Sequence, residues 1–222
     1  MQEAEKGPVA QLNGIFYYLA DESDLEPLAD FVMKHFTNDE PTNEALGLKA
    51  FVDQPCVREF FKTCVIGPCI RTKMTFMAVA EADIVGCRIT DVWRRGAPER
   101  IAHTPLVAML AFFDKILEGK KNFPSDVQHL AYFEILSVAP THRRLGIAQK
   151  MIELTEQKAR SLGMEGVFVI ATSYRTQQLF GKTGFQVLNE VILSDYVDET
   201  GTQIIRPLDG HTTVAQLLLK RF

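Results

Sequence analysis

Residues 134–148 read EILSVAPTHRRLGIA, and this stretch decides the fold. An apolar, β-branched run ending at Val138 has the composition of a buried strand, and Ala139-Pro140 stops it. A helical pattern then begins near Gly146 and is closed by Gly163. The first turn of such a helix carries unpaired backbone N–H groups and the positive end of the macrodipole, a ready seat for phosphate. Gly146 and Ala148 have little or no side chain and let a pyrophosphate approach the backbone, while Arg143 and Arg144 add charge. The spacing is R-x-x-G-x-A, which is neither a dinucleotide fingerprint nor a Walker loop with its lysine.

Outward from this loop, strands and helices alternate. The run 130–138, the helix from about 146 to 162 and the apolar VFVIA (167–171) form a strand-helix-strand unit, which implies a parallel pair with a right-handed crossover. Upstream, FYYLA (16–20) reads as a first strand. Asp21 or Ser23 can cap a helix in which Leu25, Leu28, Phe31, Val32 and Phe36 recur at helical spacing until Pro41 stops it. A weakly patterned helix is expected at 55–66, then two antiparallel strands within 75–93 that turn near Ala82-Asp83, then a long helix from about Glu99 to Glu118. After 171 come a short helix (175–182), a strand (186–195) and a last strand (214–222). With no repeat and no Pro/Gly/Ser-rich linker, the 222 residues read as one α/β domain with a mixed, twisted sheet, residues 1–13 forming a loose tail.

Composition excludes several classes of function. A formal net charge of −4 argues against a broad basic face, so no nucleic-acid partner is expected. The most apolar long segment, 106–117, is interrupted by Asp114 and Lys115 and is too short to span a bilayer, so no membrane partner is expected. The polar start is the wrong chemistry for a signal peptide, which points to the cytoplasm. Cys56, Cys64, Cys69 and Cys87 form no CxxC pair and lack histidines at zinc-binding spacing, so no metal is expected and the thiols read as reduced.

The run Arg143-Arg144-Leu145-Gly146-Ile147-Ala148, on this strand, loop and helix, resembles the acetyl-CoA signature of the GNAT superfamily of N-acetyltransferases. The order of elements is similar from first strand to last, and LFGKTGF (179–185) looks like that superfamily's second motif. Within it, NDEPTN (38–43), ILSV with RRLGIA (135–148) and TSYRT (172–176) are most similar to insect-type arylalkylamine (dopamine-like) N-acetyltransferases. The resemblance implies a GNAT fold using acetyl-CoA as cosubstrate and a small-molecule amine as acceptor. Leu136 and Val138 would bind the acetyl and pantetheine arm through their backbones, and Arg143 through Ala148 would hold the pyrophosphate.

Amine acetylation needs a base, because an ammonium ion cannot attack a thioester. Glu40, in Asp39-Glu40-Pro41, takes that role by resemblance. The end of the preceding helix, where the dipole is negative, and burial beside His35 and Phe36 would raise its pKa. Thr172 and Thr176 match hydroxyl positions implicated in the insect-type site. They equally fit strand-end and helix-capping roles. Phe180 stands where many members place a tyrosine that protonates the leaving thiolate, and phenylalanine donates no proton. Phe36, Tyr174 and Tyr196 are candidates to hold an aryl ring, and His211 a possible acceptor-site residue. Polyamine or protein N-terminal acetylation, and a non-catalytic acyl-CoA sensor, remain rival readings, and the sequence sets no oligomeric state.

Overall fold

The computed structural model describes residues 6–45, 54–97, 107–197, 200–205 and 210–222. Eight strands among them form one sheet in the order β1-β2-β3-β4-β5-β6-β8-β7. They are β1 (Ala10–Leu12), β2 (Ile15–Leu19), β3 (Phe76–Ala80), β4 (Asp83–Arg94), β5 (His129–Val138), β6 (Gly166–Ala171), β7 (Gln186–Ile192) and β8 (Val214–Arg221). All neighbours pair antiparallel except β5 and β6, which run parallel as the strand-helix-strand unit requires.

The start of the chain differs from expectation. Ala10–Leu12, expected within a loose tail, pair with Ile15–Tyr17. The two-residue connection explains it. Asn13 and Gly14 both have positive φ, 52° and 78°, the geometry of the tight hairpin turn that Asn-Gly favours. At the other end of the sheet β7 stops at Ile192, and Leu193–Asp195 coil into a 3-10 turn rather than extending the strand.

One face of the sheet carries α1 (Leu25–Phe31), α2 (Thr37–Asp39), α3 (Pro41–Ala45), α4 (Pro55–Phe60), α5 (Gly67–Arg71) and α6 (Val107–Leu117). The expected start of α6, residues 99–106, lies outside the described residues. Here Leu28, Phe31 and Ile66 bury against Cys87 and Ile89 of β4, and Phe112 and Ile116 against Phe168 and Leu217, with Phe113 touching both groups. The other face carries α7 (Ile147–Ser161) and α8 (Tyr174–Lys182). Ile152 and Ala159 pack with Phe133, Val167 and Phe180, while Ile147 and Met151 pack with Val85 and Phe76.

Two features aim this scaffold at a site. The first helical layer is not regular. Val32–Phe36 joins α1 to α2, and Phe61–Ile66 joins α4 to α5, each as a π-helical turn with an i−5 hydrogen bond, from Thr37 N–H to Val32 O and from Gly67 N–H to Lys62 O. Wide turns of this kind collect at functional sites. The second feature is a bulge in β5. Ile135 pairs with Ile89 and Phe133 with Thr90, so Glu134 is an extra residue that bends the strand. The parallel pairing of β5 with β6 ends at Phe133 and Val169, and beyond that point the strands part.

Candidate active site

The gap between the diverging strands opens into a cavity of about 820 Å³ that reaches both faces of the sheet. Leu136 and Val138 line it from β5, Thr172 and Thr176 from the chain after β6, and Glu40 from the end of α2.

The backbone of β5 is divided between its two edges. Ile135 O accepts from the Arg88 side chain at 3.0 Å, and Ala139 N–H donates to Val85 O at 2.9 Å. A methyl group on Gly86 would lie 3.3 Å from Ser137 O. Residues 135, 137 and 139 therefore address β4. Strand alternation turns the N–H and C=O of Leu136 and Val138 to the opposite edge, where β6 has departed. Backbone groups in such a cleft need partners, so this edge could receive an extended ligand.

Glu40 is placed by its neighbour. A residue before proline avoids the helical region, and Glu40 leaves α2 extended at φ −79°, ψ 116°. Its half-buried carboxylate accepts the Thr172 hydroxyl at 2.6 Å on one oxygen and the Asn43 N–H at 2.7 Å on the other. It thus lies at the start of α3, which the sequence reading, attending only to the preceding helix end, did not anticipate. Enclosure by protein pushes its pKa up, and the hydrogen bonds from Thr172, Asn43 and Thr42 recover only part of that shift. His35, its ring tilted against Phe31 with centroids 4.8 Å apart, is shifted down by burial and by Lys34. Asp39, the residue before Glu40, accepts from Arg143, tying the end of α2 to the loop before α7.

That loop forms a 3-10 turn, Pro140–His142. Arg144 and Gly146 follow with φ of 66° and 78°, and no side chain caps the N-terminus of α7. The open N–H groups face a shallow depression lined by Val138, Arg143, Arg144, Gly146, Ile147 and Ala148. A Cβ on Gly146 would meet nothing within 4 Å, so the space above it is free for a ligand. Leu145 points outward, is half-exposed and does not line the depression, whereas Ile147 lines it while burying its side chain under α7.

Thr172 and Thr176 separate in role. Thr172 reaches Glu40, whereas the Thr176 hydroxyl donates to Ser173 O at 2.9 Å and completes a capping box with Ser173 at the start of α8. Phe180 is buried, with ring centroids 4.9 Å from Phe185 and 6.2 Å from Phe133, and offers no proton. Of the expected aromatic residues only Phe36 lines the cavity. Tyr174 is 45% exposed and tilts over His211 at 5.9 Å, while Tyr196 packs edge-on against Phe112 at 5.2 Å in the core. The aromatic wall comes instead from Phe61, Trp93, Phe113, Tyr132 and Phe168. Among the described residues no cluster of histidine, cysteine or acids could hold a metal, and no helix is long and apolar enough to cross a membrane.

Residues 70–185 match the model of the acetyltransferase (GNAT) family. The chain belongs to that family. Enzymes of the GNAT family transfer the acetyl group of acetyl-CoA, and the uncapped α7 N-terminus with the parted strands fits such a cosubstrate. Arylalkylamine N-acetyltransferase 2 from Aedes aegypti is similar at 21% identity and a TM-score of 0.79, over 94% of this chain and 99% of that one. Polyamine N-acetyltransferase from Drosophila melanogaster is 20% identical with a TM-score of 0.71, over 94% and 100%. An agmatine N-acetyltransferase is 20% identical with a TM-score of 0.74, over 95% and 100%. These likenesses establish a shared GNAT fold. No curated protein sequence matches the chain significantly.

Proposed function

We propose that this GNAT protein, acting as a single cytoplasmic domain, acetylates the primary amine of a small arylalkylamine by direct transfer from acetyl-CoA within a ternary complex. The observation that carries the proposal is the hydrogen bond between Glu40 and Thr172, which places a carboxylate of raised pKa beside the point where β5 and β6 part. A base whose pKa is drawn up toward the working pH is suited to take the proton of an incoming ammonium. Thr172 holds the carboxylate in place, and Thr176 shapes the turn that carries Thr172 toward it. Leu136 N–H is the donor to the acetyl oxygen as negative charge develops, and Val138 extends the same edge along the pantetheine arm. Arg143, Arg144, Leu145, Gly146, Ile147 and Ala148 receive the pyrophosphate, largely through backbone donors. The four cysteines are free, which agrees with a reducing compartment.

The acceptor's ring is assigned to the aromatic wall of Phe36, Phe61, Trp93, Phe113 and Phe168. A second reading, a diamine or polyamine acceptor, draws support from Asp91, Asp114 and Glu134 in the same wall. Against it, Arg71, Arg94 and Lys120 line that wall too, so the cavity lacks the negative excess that a second ammonium group would require. Dopamine, tyramine or serotonin are therefore expected to be used with kcat/KM at least about ten-fold above spermidine and agmatine, within the selectivity an apolar pocket supplies. The check is a side-by-side kinetic comparison at one pH, read by thiol release. Equal or better turnover of spermidine, or activity confined to peptide N-termini, rejects the arylalkylamine assignment. Acetyl-CoA binding without turnover of any amine would favour the sensor reading.

A further inference from the structure

Arg88, at the centre of β4, has no part in the chemistry above, yet it is the least comfortable residue in the core. It is 1% exposed, and its guanidinium carbon lies 3.5 Å from the centre of the Phe133 ring. Nη1 donates to Ile135 O at 3.0 Å, while Nε and Nη2 have no partner. Both of those nitrogens are sealed from solvent, although Arg88 belongs to the lining of the cavity. Burial lowers the pKa of Arg88, but guanidinium starts so high that it stays charged at neutral pH. A buried cation held by one carbonyl, one ring face and the attraction of Glu134 still burdens stability, and an apolar residue of similar volume would serve packing better.

What the charge does acquire is a position. The carbonyl it grips belongs to the same peptide unit as Leu136 N–H, and the two point to opposite edges of β5. A charged donor on a peptide oxygen draws electron density through the amide and makes its N–H a stronger donor, the cooperative effect of linked hydrogen bonds. The bulge at Glu134 shifts the ladder at this point and puts Ile135 O within reach of the side chain.

We infer that Arg88 is a positioning residue for acetyl transfer: its charge, applied to Ile135 O, strengthens the Leu136 N–H that faces the acetyl oxygen. The inference rests on the reading of Leu136 as that donor. It calls for no contact between Arg88 and either substrate, since the effect passes through the peptide unit between Ile135 and Leu136.

The test compares the parent with Arg88→Met and Arg88→Lys, in the full chain, by three readouts. In the unliganded protein, the Ile135 carbonyl carbon and Leu136 amide proton resonances should both move upfield in Arg88→Met, with Arg88→Lys between it and the parent. In turnover with tyramine, Arg88→Met should lose about five-fold in kcat, with acetyl-CoA affinity within about two-fold of the parent and Arg88→Lys recovering part of the loss. In thermal unfolding, Arg88→Met should be as stable as the parent or more so. Unmoved resonances, an unchanged kcat, or a loss of activity that tracks a fall in stability would each overturn the inference. If Arg88→Met does not fold, a structural role is indicated and the inference fails unless Arg88→Lys, folded, shows the intermediate shifts. A parent that turns over normally beside an equally active Arg88→Met removes only the role of Arg88. A parent that releases no thiol with any amine removes the transfer reading and, with it, any part for Arg88 in that step.

Discussion

Glu40→Gln should lower kcat/KM by roughly 100-fold or more while leaving acetyl-CoA affinity nearly unchanged, because the substitution removes the proposed base and little of the proposed cofactor surface. The amide retains the shape of the carboxylate and can still accept from Asn43 N–H and meet the Thr172 hydroxyl, so the surrounding hydrogen bonds survive. Activity of the parent should rise with pH through a limb placed above the ordinary carboxylate range, since enclosure raises the Glu40 pKa. That limb should vanish in the variant. Stability should respond in the opposite sense. A carboxyl whose pKa is raised on folding contributes stability that is fully present below its unfolded pKa and is lost as pH rises through the folded value. Glutamine never ionises, so the variant should equal or exceed the parent in Tm at pH 8, with the advantage shrinking as pH falls from the raised folded pKa toward the unfolded carboxylate range and absent below it. Steady-state kinetics across pH and melting curves at two pH values check both halves. A full-rate variant would reduce Asp39-Glu40-Pro41 to a loop that ends a helix.

The parts of this site that local sequence encodes were legible, and those that depend on distant strands meeting were not. The period of the 147–161 helix, the apolar 167–171 strand and the loop before Gly146 each carry their own signal, so the parallel unit and the turn that opens its helix followed from residues alone. Asn13-Gly14 carried an equally local signal for the β1–β2 hairpin that composition at the chain start obscured. The meeting of Glu40 with Thr172, 132 positions apart, belongs to the sheet order and has no local trace. Nor do the bulge at Glu134 or the π-helical turns, which arise where side-chain packing overrides regular hydrogen bonding. Tyr174 and Tyr196 looked available for an aryl ring because they are near the site in sequence, but the start of α8 turns one outward and Phe112 draws the other into the core. Arg88, a charge inside the run from Ile84 to Ile89, drew no notice in the sequence, and only the structure connects it to the peptide before Leu136.

Gly146→Val should weaken acetyl-CoA binding on the order of thirty-fold, equivalent to about 2 kcal/mol. Two effects combine. At φ 78° a β-branched residue is strained whatever space surrounds it, which tilts the turn away from the geometry that presents the α7 N–H groups. The valine side chain would also project into the open space above the turn, where a pyrophosphate must come within hydrogen-bonding reach of the backbone. Gly146→Ala separates the two, since it shares the φ strain but adds only a methyl group, and it should fall between the parent and valine. Arg143→Ala should cost less than Gly146→Val, because the backbone donors remain and the side chain already divides its charge with Asp39. Calorimetric titration of acetyl-CoA into the folded variants measures all three. Salt adds a discriminating axis: the Arg143 contribution should fade as ionic strength rises, whereas the Gly146 penalty, being steric and conformational, should persist. Unchanged affinity in a folded valine variant would displace the pyrophosphate from the α7 N-terminus and leave the parted strands as the remaining anchor for the cosubstrate.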